Sequence, residues 1–166
     1  MATTPASVDK HPLHPILVAF PIGLWMFSLV CDLMHRFGHD RMWSLMAWYA
    51  MVAGLLGALA AALPGVIDFF AITDPRAGRV ALLHLAINTG LILLFGVNAW
   101  VRTLLPLLPP TSMVPLLLSV VGIAGLIVSG WLGAELVYVH RIGVARNGVA
   151  PGGATLRPIK RGKRAA

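Results

Sequence analysis

The sequence predicts an all-α fold: an integral membrane four-helix bundle with its N and C termini on the cytoplasmic side. Three observations carry that prediction. Hydrophobic residues make up 58% of the 166 residues and charged residues 11%, with a mean hydropathy of +0.82, far from the roughly half-apolar, quarter-charged mix of soluble domains. Four runs, 16–34, 43–63, 80–101 and 114–139, approach or exceed the ~20 residues that carry a helix through a bilayer core. The runs are continuously apolar, without the alternation of ~10-residue barrel strands.

The first run, Ile16 to Met34, has no small-residue cleavage site and is expected to stay as an anchor. Asp32 near its end is given Arg36, one turn on, as its partner. Cys31 is the only cysteine, which excludes an intrachain disulfide and a thiolate cluster. The second run offers a close-approach seam of Gly54, Ala58 and Ala62 beside Gly57, Ala61 and Gly65, and the fourth offers Gly122, Ser129, Gly130 and Gly133. Both seams are read as helix glue with no chemistry. GVIDFFAITDP, 65–75, is expected to lie along the head groups with Phe69 and Phe70 in the acyl boundary. LLPLLPP, 104–110, ends the third run in a rigid apolar turn. The tryptophans and tyrosines, Trp25 among them, are assigned to an interfacial aromatic belt. Residues 1–144 then form one four-span domain, and 145–166 form a basic disordered tail.

Orientation follows from the basic residues. Lys10, Arg76, Arg79, Arg141, Arg146, Arg157, Lys160, Arg161, Lys163 and Arg164 fall on the face of the termini, against Arg36, Arg41 and Arg102 on the other. The positive-inside rule makes the first face cytoplasmic, as expected of a multi-pass protein of a bacterial inner membrane. The tail has no aromatic residue to stack a base, so its charge implies contact with anionic membrane lipids and no nucleic acid.

Only six histidines and six acids are available to supply chemistry. His35 and His39 fall in the outer connection. His11 and His14, in HPLHP, precede the first run, His84 opens the third and His140 closes the fourth, all toward the inner face. A proline disfavours helical backbone in the residue before it, so His14 is expected to be extended, with the helix starting at Pro15. His84, Asn88, Leu91, Phe95 and Asn98 share one helix face and should look into the bundle. Asp68 and Glu135 are expected at the same level, Glu135 requiring a proton, a partner or a cation.

HPLHPILVAFPIGLW at 11–25, HLAIN at 84–88 and GAELVYVHRIGV at 133–144 resemble the signature blocks of a bacterial integral membrane family catalogued as domain of unknown function twenty-two thirty-one. The family commonly reads His-Gly-Val-Gly-Val in the last block, where this chain has His140-Arg141-Ile142-Gly143-Val144. The family name implies no activity; the resemblance of some members to modules joined to Rieske-like or cytochrome-like domains implies electron transfer.

Three functional readings stay open at this point. In the first, two of His14, His84 and His140 hold haem b, His11 and Asn88 belong to the site, and Arg76, Arg79 and Arg141 meet propionates. In the second, His14, His84 and His140 with Asp68 or Glu135 bind an Fe, Cu or Zn ion. In the third, the histidines form a structural polar network in a scaffold or partner subunit. With no nucleophile, base and orienter, no phosphate loop and no GxSxG, independent catalysis is not expected. A redox partner and a homo-oligomer are the expected associations.

Overall fold

The computed structural model describes residues 4–9, 11–104 and 112–144, and each expected span is a helix long and apolar enough to cross a membrane. The chain opens with a small antiparallel hairpin, β1 (Ser7–Val8) on β2 (His11–Pro12). α1 (Leu13–Leu17) leads into α2 (Ala19–Gly38), then α3 (Arg41–Phe70), α4 (Pro75–Thr103) and α5 (Val114–Ala134). A single π-helical turn, Glu135–Val139, ends α5. The LLPLLPP turn beyond Leu104 and the basic tail beyond Val144 lie outside the described residues.

Local chemistry sets these boundaries. Asp40 accepts the Met42 N–H at 2.8 Å and Asp74 the Arg76 N–H at 3.1 Å, capping α3 and α4. Pro75 opens α4, where a missing N–H leaves no bond unmade. The break between α1 and α2 falls at Val18, because Pro21 has no N–H to give the Leu17 carbonyl.

Several sequence expectations need correction. His14 is not extended; it lies inside α1, and the extended residues of HPLHP are His11 and Pro12. Pro15 is tolerated there because the first helical turn has no internal acceptors for its N–H groups. The 65–70 segment is not a separate interfacial strip: α3 runs through Pro64 to Phe70, as bundled membrane helices allow when neighbours re-satisfy the loosened turn. Trp25 is not part of a belt. It is 3% exposed, stacks on Phe95 with ring centroids 4.0 Å apart and donates to the Met51 carbonyl.

Asp32 does not pair with Arg36. Its carboxylate takes two 2.7 Å bonds from the Arg102 guanidinium, which bridges α4 to α2, and a 2.9 Å bond from Ser119 of α5. Arg102 also donates to Asn98 and Ser119, so the buried charges sit in a satisfied network. A local i, i+4 partner exposed to solvent gains little. A buried bidentate partner leaves no charge uncompensated.

The bundle is a repeated hairpin. Asp32 and Arg102 stand 70 residues apart, and so do Trp25 and Phe95, and His14 and His84; each pair meets across the centre of the bundle. Gly54, Gly57 and Gly65 of α3 recur at the same spacings as Gly122, Gly125 and Gly133 of α5, and they make equivalent contacts. Gly54 receives Trp25 and Gly122 receives Phe95; Gly57 faces Pro21 and Gly125 faces Leu91; Gly65 receives His14 and Gly133 receives His84. Even the polar ties match, since Ser28 donates to the Ala47 carbonyl and Asn98 to the Pro115 carbonyl. α1–α3 and α4–α5 are therefore two copies of one unit, running the same way about an approximate two-fold axis along the bundle.

Candidate functional site

A cavity of about 650 Å³ opens between the helices toward the end that carries the described ends of the chain. That size is within the range of small-molecule and cofactor pockets. Trp25 forms part of its wall, and Val18, Ile22, Ala58, Leu85 and Leu126 make it apolar. His14, His84, Asn88 and Ser129 are among the few polar groups that line it.

The two histidines are held in the same way. His14 Nδ1 is 2.8 Å from the Ala61 carbonyl and His84 Nδ1 is 3.0 Å from the Ser129 carbonyl. A carbonyl only accepts, so both Nδ1 atoms donate, and in the neutral imidazole the lone pair is then on Nε2. Four residues beyond each acceptor stands a glycine that makes room for the ring. A Cβ on Gly65 would lie 2.7 Å from His14 Nδ1, and one on Gly133 would lie 3.2 Å from His84 Cε1. The seams read as plain helix glue thus cut two notches for imidazoles. The rings face each other across the axis with centroids 6.2 Å apart and planes at 87°.

The second hairpin adds polar support. Asn88 donates to the His84 carbonyl at 2.8 Å and to Ser129 Oγ at 2.7 Å, while that hydroxyl lies 3.3 Å from His84 Nδ1. The expected stripe faces inward as read, with Leu91 and Phe95 buried and Asn98 tied to Pro115 and Ser119. His84 sits about two and a half turns into α4 rather than in its opening turns.

The other residues singled out from sequence stand elsewhere. His140 lines a smaller polar vestibule of about 280 Å³ with Thr4, Asp68, Thr73, Asp74 and Arg141; Asp68 and Gly143 border both spaces. The π turn places His140 3.8 Å from Asp74 and 4.0 Å from Glu135, an ion pair whenever the imidazole is protonated. Asp74 is held below the usual carboxylate range mainly by the Arg76 N–H it accepts. Asp68 accepts the Ala6 N–H at 2.9 Å and so pins the N-terminal hairpin beside the mouth of the cavity. His11 is exposed on β2, and Arg76 and Arg79 are exposed on the first turns of α4. None of these three lines either space.

Among the described residues, no three His, Cys, Asp or Glu side chains gather as an ion site. Of the five donors expected to bind an ion, His14 and His84 line the cavity, His140 lines the vestibule, Asp68 borders both and accepts the Ala6 N–H, and Glu135 lines neither.

Sequence reading missed Ser129, Gly65 and Gly133 as parts of the site. The signal that finds them is the repeat of the glycine triplet, each preceded in its hairpin by a histidine and, eleven residues on, a large aromatic ring. A model of the family described as Predicted membrane protein (DUF2231) matches residues 10–146. No curated protein and no solved structure matches the chain.

Proposed function

The chain belongs to the DUF2231 family of predicted membrane proteins, and since that description names no reaction, we propose from its geometry that it binds haem b for electron transfer. In this reading it is a multi-pass subunit of the bacterial inner membrane, and His14 and His84 hold the cofactor near the cytoplasmic face. The observation that carries it is the pair of Nδ1-anchored imidazoles that line one apolar cavity with ring centroids 6.2 Å apart.

The fit can be worked out. A metal–imidazole bond is about 2 Å, and Nε2 lies roughly 1 Å from its ring centre, so two rings sharing one metal have centroids about 6 Å apart. The observed 6.2 Å matches that span. The same count separates haem from a bare ion. Porphyrin brings four nitrogens and needs only axial protein ligands, whereas a Zn, Fe or Cu site takes three or more protein donors. Among the described residues no three such donors gather: the cavity brings two imidazoles together, and Asp68 at its border is engaged by the Ala6 N–H.

When bound, haem supplies one-electron chemistry. The chain supplies the rest. The Ala61 and Ser129 carbonyls fix each imidazole's tautomer and ring orientation, as the outer hydrogen bonds of ligating histidines do. The apolar walls keep water from the ligands, and Arg141 and His140 border the adjoining vestibule where an anionic edge finds countercharge.

The test is a reduced-minus-oxidised visible spectrum of the purified protein. A Soret band at about one haem per chain is expected, shifted in position in His14→Ala and His84→Ala and unchanged in His35→Ala and His39→Ala. A colourless protein that takes up no added haemin refutes the reading.

A further inference from the structure

We infer that the two hairpins hold a single six-coordinate metal centre on their two-fold axis, with His14 and His84 as equivalent axial ligands and no coordination position left for a substrate. The inference rests on the haem reading and deepens it: the site is built for an electron carrier and against oxygen or peroxide chemistry at the metal.

The anchors are symmetric. Each imidazole stands on the first helical arm of its hairpin and gives its Nδ1 proton to a carbonyl on the second, Ala61 in one copy and Ser129 in the other. Each ring occupies the notch of the glycine four residues further on. One ring and its mate then meet across the axis, and a further mated pair, Trp25 and Phe95, is stacked at 4.0 Å, with Trp25 forming part of the cavity wall. Both rings share the Nδ1-donating tautomer, a carbonyl acceptor and a glycine notch, so neither anchor singles out a ligand that leaves to open a site.

The remaining histidines do not offer a second centre. His11 is exposed on the hairpin and His140 faces the vestibule between two carboxylates. A second haem has no pair of facing imidazoles among the described residues. The copies differ at one supporting atom: Ser129 brings a hydroxyl that Asn88 orients, where the first copy has Ala61 and Val18. That difference makes Ser129 a positioning residue for His84 alone.

The test uses the full-length protein in detergent, with the haem content of each sample read first. The ferric form should give a low-spin electron paramagnetic resonance signal, strongly anisotropic because the axial rings are perpendicular, and the ferrous form should not bind carbon monoxide within seconds. His14→Gly and His84→Gly should each become carbon monoxide-binding, and added imidazole should return both to the low-spin form, which also shows that the variants are folded. Ser129→Ala should shift the reduction potential, while the signal stays low-spin. High-spin iron or prompt carbon monoxide binding in the unaltered, haem-loaded protein overturns the symmetric site yet leaves the haem reading standing. Full low-spin character surviving in either glycine variant removes that histidine as a ligand and overturns both the symmetric site and the pairing of His14 with His84 on the haem. Absence of haem, with none taken up, removes both.

Discussion

Asp32→Asn strands a guanidinium inside the bundle, and its effect can be worked from the contacts. Arg102 is 7% exposed and spends two 2.7 Å charge-assisted bonds on that carboxylate. With the charge gone, its remaining partners are neutral: Asn98 Oδ1 at 3.3 Å and Ser119 Oγ at 3.2 Å. Breaking one side of a buried pair costs about 3–5 kcal/mol, whereas replacing both sides by apolar residues is often near neutral. For a chain of this size that loss lowers the thermal midpoint by roughly 6–20 °C. Because the two positions are mates across the two-fold axis, the exchanged pair Asp32→Arg with Arg102→Asp should recover at least half of it. Helical circular dichroism during heating in mild detergent measures all three proteins, with Asp32→Leu/Arg102→Met as the apolar double replacement. A single variant that loses less than about 1 kcal/mol, or an exchanged pair no better than Asp32→Arg alone, would falsify the account of this network.

Three further outcomes follow from named geometry. Gly65→Ala puts a Cβ 2.7 Å from His14 Nδ1 and should lose about 1–3 kcal/mol by overpacking, whereas Gly96→Ala meets nothing within 4 Å and should be neutral or stabilising; equal midpoints for the two would dismiss the notch. Arg141 has φ 56° after the π turn, a conformation disfavoured for any residue with a Cβ, so Arg141→Gly should raise stability by about 0.5–1 kcal/mol; a fall in the denaturation midpoint contradicts this. Asp74 has a lowered pKa from its capping bond, so its contribution is complete above the ordinary carboxylate range and disappears as pH falls through the lowered value. The midpoint of Asp74→Asn should therefore change less on acidification than that of the unaltered chain, and parallel acid curves count against the cap.

The spans were legible because membrane insertion depends on local composition: a continuous apolar run of helical length has one way to satisfy its backbone in lipid. The inward face from His84 to Asn98 was legible for a related reason, since its amides recur at helical spacing on an otherwise apolar surface. Asp32 was misassigned because the nearest opposite charge in sequence, Arg36, is not the nearest in space; Arg102 comes from another helix. His14 was misplaced by a rule for residues before proline that yields in a helix's first turn. The glycines of the two seams carry no individual sign of whether a neighbouring helix sends a methyl group or an imidazole into the space they leave.

Composition and periodicity alone determined that this chain is four apolar helices with scarce polar groups near their ends and along one inward face. That information is local, because each helix satisfies its own backbone and its exposed surface only has to match lipid. Tertiary structure decided which rare polar groups meet. The pairing of His14 with His84, of Trp25 with Phe95 and of Asp32 with Arg102 exists only once two like hairpins close about a common axis. A contact between residues 70 apart depends on how helices rotate and cross, which is set by the small-residue notches acting together.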